Sequence, residues 1–89
     1  MDNVTYFQHQ IGAPVWLHVR YWVEGSREER THMVLMVGSA NYFAHPDKTE
    51  SLVLTETGAL TTISNYMKNS LEATMFKVVG VSQPKVRER

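Results

Sequence analysis

The clearest pattern in the chain is a strict alternation of side-chain types over residues 15–24, which read VWLHVRYWVE. A period of two over ten residues predicts a β-strand whose two faces differ in chemistry. One face would carry Val15, Leu17, Val19, Tyr21 and Val23, and the other would carry Trp16, His18, Arg20 and Trp22. We expect the first set to face the core and the second set to face away from it.

Four other segments have strand-like composition. Residues 4–11 are rich in β-branched and aromatic side chains, and the turn signal Gly12-Ala13-Pro14 follows them. A polar loop at 25–29 predicts a hairpin between the alternating strand and the next apolar segment. The remaining predicted strands are 30–38, 50–55 and 76–82.

One segment has helical periodicity. Its apolar residues Leu60, Ile63, Met67 and Leu71 follow each other at spacings of three, four and four. This spacing places them on one stripe of an amphipathic helix over about residues 58–74. Thr57 is the expected N-cap, since threonine accepts a hydrogen bond from the first turn.

The resulting element order, β-β-β-β-α-β, predicts an α+β fold. We expect a four- to five-stranded, mainly antiparallel sheet with the helix packed on one face. The whole would form a single domain over residues 1–82, followed by a polar C-terminal tail at 83–89. Whether the strands before and after the helix are neighbours stays open at this stage.

Composition then narrows the class of protein. The 89 residues carry no net charge and no cysteine, and 43% of them are hydrophobic. These values exclude a disulfide framework and a thiol nucleophile, and they argue against a general binder of polyanions. No apolar run approaches the roughly 18 residues of a membrane helix, and the first ten residues lack the pattern of a signal peptide. We therefore expect a cytoplasmic protein that does not bind membranes.

The polar-looking face of the alternating strand is the candidate partner-binding site. Trp16, His18, Arg20 and Trp22 combine large apolar area with polar groups, and Trp and Arg are enriched at binding hot spots. A single helix covers a single face of the sheet, so this second face needs solvent, a loop or a partner. Two structural interpretations compete with the functional one. Loop residues such as Tyr42 and Phe43 could cover the tryptophans, or the two strand faces could be reversed.

The favoured hypothesis is a non-enzymatic protein-binding domain, similar in role to an adaptor or inhibitor, that also pairs with itself as a homodimer. Short accessory proteins of phages and other mobile elements are one setting for such domains. A first alternative is a single-stranded nucleic-acid module that stacks bases on Trp16 and Trp22 while Arg20 follows the phosphates. A second alternative is a small-ligand site between the two tryptophans, or a metal-dependent enzyme with a site between subunits.

Catalytic signals are weak. The chain contains no nucleophile elbow, no glycine-rich phosphate loop and no paired-carboxylate motif. His18 and His32 lie on consecutive predicted strands and, with His9, could supply three nitrogens to a metal, but ordinary cross-strand polar pairs are commoner. We therefore predict no catalytic residue, no metal and no cofactor.

Overall fold

The computed structural model describes residues 6–42 and 48–83, with the main chain alone for residues 6–13 and Tyr42. It confirms the α+β class and the predicted element order. The elements are β1 (Tyr6–Val23), β2 (Arg30–Tyr42), β3 (Thr49–Leu54), β4 (Leu60–Thr62), α1 (Ile63–Asn69) and β5 (Ala73–Ser82).

The five strands form one antiparallel sheet in the order β4-β3-β2-β1-β5. Since every neighbouring pair is antiparallel, the two edge strands β4 and β5 run in the same direction. The segment that contains α1 joins these two edges, and α1 contacts β3, β4 and β5. The helix therefore lies across one face of the sheet, which we call the helix face.

The core lies between the helix face and α1. Leu17, Val19 and Tyr21 of β1 are each at most 8% exposed. The eight residues of the buried cluster are Leu17, Val19, Tyr21, Val34, Val53, Ile63, Tyr66 and Met67. This arrangement confirms that the aliphatic positions of the alternating strand face inward. The reversed-face interpretation is therefore wrong.

The predicted turn at Gly12-Ala13-Pro14 is absent, because β1 runs without a break from Tyr6 to Val23. Its pairing with β2 instead shifts between Gln10, opposite Gly38, and Val15, opposite Met36. Four residues of β1 thus stand against a single residue of β2. Proline has no backbone N–H to donate to a strand ladder, so Pro14 is accommodated where that ladder is interrupted.

The helix is shorter than the predicted 58–74 and begins later. Gly58 adopts a φ of 87° in a turn where its N–H donates to the carbonyl of Thr55. The chain then forms the short strand β4, so Thr62 and not Thr57 is the N-cap. The Thr62 Oγ1 accepts from the N–H of Asn65 at 3.3 Å. Adjacent threonines favour extended backbone, which explains why helical spacing alone misplaced this boundary.

The C-terminal end of α1 also comes early. Ser70 is the C-cap, and Glu72 has a φ of 55°, which ends the helical path. Leu71 still packs against the core although it lies outside the helix. Beyond β5, Gln83 is exposed, and the rest of the predicted tail lies outside the described residues. No helix among the described residues is long and apolar enough to cross a bilayer.

Candidate partner-binding face

The side of the sheet opposite α1, which we call the outer face, carries all four predicted site residues. Directly paired residues of adjacent strands point to the same side of a sheet, so the strand register defines which other residues join them. The outer face includes Trp16, His18, Arg20, Trp22, Thr31, Met33, Leu35, Leu52, Leu54, Leu60, Thr62, Met75, Lys77, Val79, Gly80 and Ser82. Leu52 and Thr62, at its β3–β4 side, are buried.

An apolar row crosses four strands at one end of the outer face. Trp16 of β1 stands opposite Leu35 of β2, Leu35 stands opposite Leu54 of β3, and Leu54 stands opposite Leu60 of β4. Leu60 is 45% exposed although the sequence pattern assigned it to a buried helix stripe. This row extends the candidate site well beyond the strand that revealed it.

The middle of the outer face is built around His18. It stands opposite Met33 of β2 and Gly80 of β5, and its Nε2 lies 2.8 Å from the Ser82 Oγ. The imidazole lies over Gly80, where a Cβ would make an ordinary van der Waals contact of 3.7 Å with the His18 Cβ. A depression of about 530 Å³ opens here, lined by His18, Val19, Thr31, His32, Met33 and Val79.

The other end of the outer face combines charge with apolar area. Arg20 stands opposite Lys77 of β5, and its Nε lies 3.0 Å from the Glu29 Oε2 of the hairpin loop. The contact is an ion pair and not an aligned hydrogen bond. Trp22 stands opposite Met75, whose side chain is 59% exposed. This end therefore presents Arg20, which is paired with Glu29, and Lys77, for which the described residues supply no ion-pair partner, beside an aromatic and a thioether group.

No described element forms a second layer over the outer face, because α1, the helix of the described ranges, lies on the other side. Both tryptophans are half-buried. The alternative interpretation, in which Tyr42 and Phe43 cover the tryptophans, lies outside the described residues, because neither side chain is described. What the described residues present is an apolar surface with a few polar groups, which is unusual on a free monomer.

Trp16 and Trp22 occupy opposite ends of this surface. They lie six residues apart on one strand, a separation of roughly 20 Å at the rise of a β-strand. A small planar molecule is much shorter than this distance, so the two rings cannot hold one between them.

His18 and His32 do not face each other as the alternative metal site would require. Val19, and not His18, is the partner of His32, so the two histidines point to opposite faces of the sheet. The side chain of His9 lies outside the described part. Among the residues that the structure describes, no group of three or more His, Asp or Glu side chains is arranged to bind a metal.

His32 belongs instead to a polar cluster at the edge of the core. Its Nε2 lies 2.9 Å from the hydroxyl of Tyr66, and the two rings stack with centroids 5.8 Å apart. The same hydroxyl donates to the Glu56 Oε2 at 2.5 Å. The cluster lies where β2 runs beyond the end of β3, beside a depression of about 300 Å³ that Trp16 also lines.

The pKa values of Tyr66 and Glu56 shift in opposite directions, which keeps the proton on the Tyr66 hydroxyl. Burial and the neighbouring Glu56 raise the pKa of Tyr66 to about 12. The hydrogen bond from Tyr66 lowers the pKa of the Glu56 carboxyl. At neutral pH, therefore, a protonated phenol donates to an ionised carboxylate, and this contact ties the β3–β4 turn to the helix.

Sequence reasoning found the β1 part of the outer face and missed the rest of it. Met33, Met75 and Val79 were not assigned to a surface, because their direction depends on strand register and on a bulge in β5. The sequence shows that these positions are apolar, but the strand register is needed to show which of them lie next to each other. Comparisons with protein-family models, curated proteins and solved structures found no match.

Proposed function

We propose that this chain is a non-enzymatic protein-binding domain and that a protein partner docks on the outer face. The observation that carries the proposal is the apolar outer face, over which no described element packs, with Trp16 and Trp22 at its two ends and Arg20 between them. Aromatic and arginine side chains of this kind supply most of the binding energy in protein interfaces. The surface is also wide, since its rows span up to four strands.

The shape and charge of the surface favour a protein partner over a nucleic acid. Affinity for a nucleic acid depends mainly on cations that neutralise phosphates. On the outer face Glu29 already pairs with Arg20, which leaves Lys77 as the other cation among the described residues of that face. A protein partner needs apolar area with a few polar contacts, which this face provides.

The proposal is tested with four immobilised forms of the protein: wild type, Trp22→Ala, Arg20→Ala and Lys68→Ala. Lys68 is the control, because it is exposed and lies in α1 on the opposite side of the sheet. Proteins that bind wild type and Lys68→Ala but neither outer-face variant would be specific partners of this face. Thermal melts of all four forms establish that the variants are folded.

Two outcomes would contradict the proposal. Capture that is unaffected by Trp22→Ala and Arg20→Ala would show that the outer face is not the binding surface. Tight binding of a single-stranded oligonucleotide that weakens steeply with added salt and with Arg20→Ala would instead support the nucleic-acid alternative.

A further inference from the structure

We infer that a second copy of this chain pairs with the outer edge of β5, so that two sheets join edge to edge about a twofold axis. Within the described ranges, β5 has β1 as its neighbour on one side and no strand on the other. No described strand therefore pairs with the outward N–H and C=O groups of this ten-residue strand. An occupant that satisfies them must supply an extended backbone, that is, another strand.

The side chains of β5 fit a strand of the same kind. Val78 and Val81 are 44% and 61% exposed on the helix side, because the seven-residue α1 is too short to cover the whole strand. Met75 and Val79 are exposed on the outer side. Apolar groups thus flank the free edge on both sides of the sheet, where an added strand would cover them.

Charge and symmetry favour a second copy as that strand. Lys77 is the single charged residue of β5, and the chain as a whole carries no net charge, so two copies do not repel each other strongly. Two identical strands paired antiparallel about a twofold axis match apolar segment to apolar segment. A register centred on the valines keeps the two lysines from lying directly opposite each other.

A twofold contact between two β5 strands is self-complementary, so it closes at two copies. At the opposite edge of the sheet, β4 has three residues, which is a short template for a further strand. The bulges of β5 near Thr74 and Val79 limit the regular paired segment, so we expect a dimer that dissociates on dilution.

Sedimentation over a dilution series tests the inference with three lysine substitutions at sites of similar exposure. Val78→Lys places a charge on the β5 edge, while Met33→Lys and Leu60→Lys place it on the outer face and on β4, at 46% and 45% exposure. We expect Val78→Lys to be monomeric at concentrations where wild type and both controls are dimeric. If Val78→Lys does not fold, Val81→Lys replaces it.

Amide hydrogen exchange identifies the surface directly. In the dimer, alternate amides of β5 should exchange at least several-fold more slowly as protein concentration rises. A wild type that is monomeric throughout the series would overturn the inference. Dissociation by Met33→Lys with no effect of Val78→Lys would also overturn it, in favour of stacked outer faces. Because docking of another protein is measured separately with Trp22→Ala, failure of the edge dimer leaves the proposed function standing.

Discussion

Substituting the same residue type at two sites would test whether the sheet has one covered and one open face. Met67 lies in α1 with 0% exposure, and Met33 lies on the outer face with 46% exposure. Met67→Ala and Met33→Ala remove the same atoms, so any difference in stability comes from the surroundings. Met75→Ala, at 59% exposure, is a second outer-face variant.

The expected magnitudes differ several-fold. At Met67 the loss of buried area and the cavity left behind should cost about 2–5 kcal/mol of unfolding free energy. Alanine is a strong helix former, so the helix itself is not penalised. At Met33 about half of the side chain is already in water and no closed cavity forms, which predicts a loss of about 1 kcal/mol. A domain of this length has a total stability of roughly 4–13 kcal/mol, so Met67→Ala removes a large part of it.

The measurement is urea denaturation followed by tryptophan fluorescence, with all variants at one protein concentration. The midpoints should separate clearly while the slopes with urea stay similar. If Met33→Ala destabilised the protein as much as Met67→Ala, the outer face would be buried in the folded chain. The reasoning behind a binding surface there would then fail.

Two further predictions concern individual groups. The folded pKa of Tyr66, about 12, exceeds the ordinary value of 10.0, so the folded state retains a proton that the unfolded state releases between these values. Stability should therefore fall as pH rises from 10 to 12, and Tyr66→Phe should abolish that fall in denaturation curves. The same substitution should raise the pKa of Glu56 in NMR titrations, because it removes the hydrogen bond that lowers it. A pH profile that Tyr66→Phe leaves unchanged would show that the pKa of Tyr66 is not raised in the folded state. Gly58→Ala should cost about 1–2 kcal/mol because its φ is positive, although nothing lies within 4 Å of a Cβ there. Gly80→Ala, where a Cβ would make an ordinary 3.7 Å contact with His18, should change stability by less than about 0.5 kcal/mol, and equal losses in thermal melts would contradict this account.

The sequence was most informative where one local rule determined the outcome. Alternation in β1 identified both the core side and the outer side, because a strand turns each successive side chain to the opposite face. It failed where two local rules competed. Leu60 and Ile63 fit a helical stripe, yet the threonines between them favour strand, and pairing of β4 with β3 decided the matter.

The candidate site was predicted in part for a similar reason. Trp16 and Trp22 were visible on one strand, but their neighbours Leu35 and Met75 come from β2 and β5. Those pairings depend on long-range register and on the position of β5 beside β1, neither of which is encoded in a local window. The interruption opposite Val37 is a further example, since the turn signal at Gly12 and Pro14 produced an irregular stretch and not a reversal.

The position of β5 next to β1 has a consequence for how the chain is made. Trp16 of β1 pairs with Ser82 of β5, so β1 cannot complete its pairing until β5 has been synthesised. Until β5 leaves the ribosome, β1 itself is the open edge of a growing four-stranded sheet. Contacts between distant parts of a chain slow folding, and exposed strand edges invite association with other chains. We therefore expect truncation before β5 to yield an aggregating fragment and not a smaller stable domain.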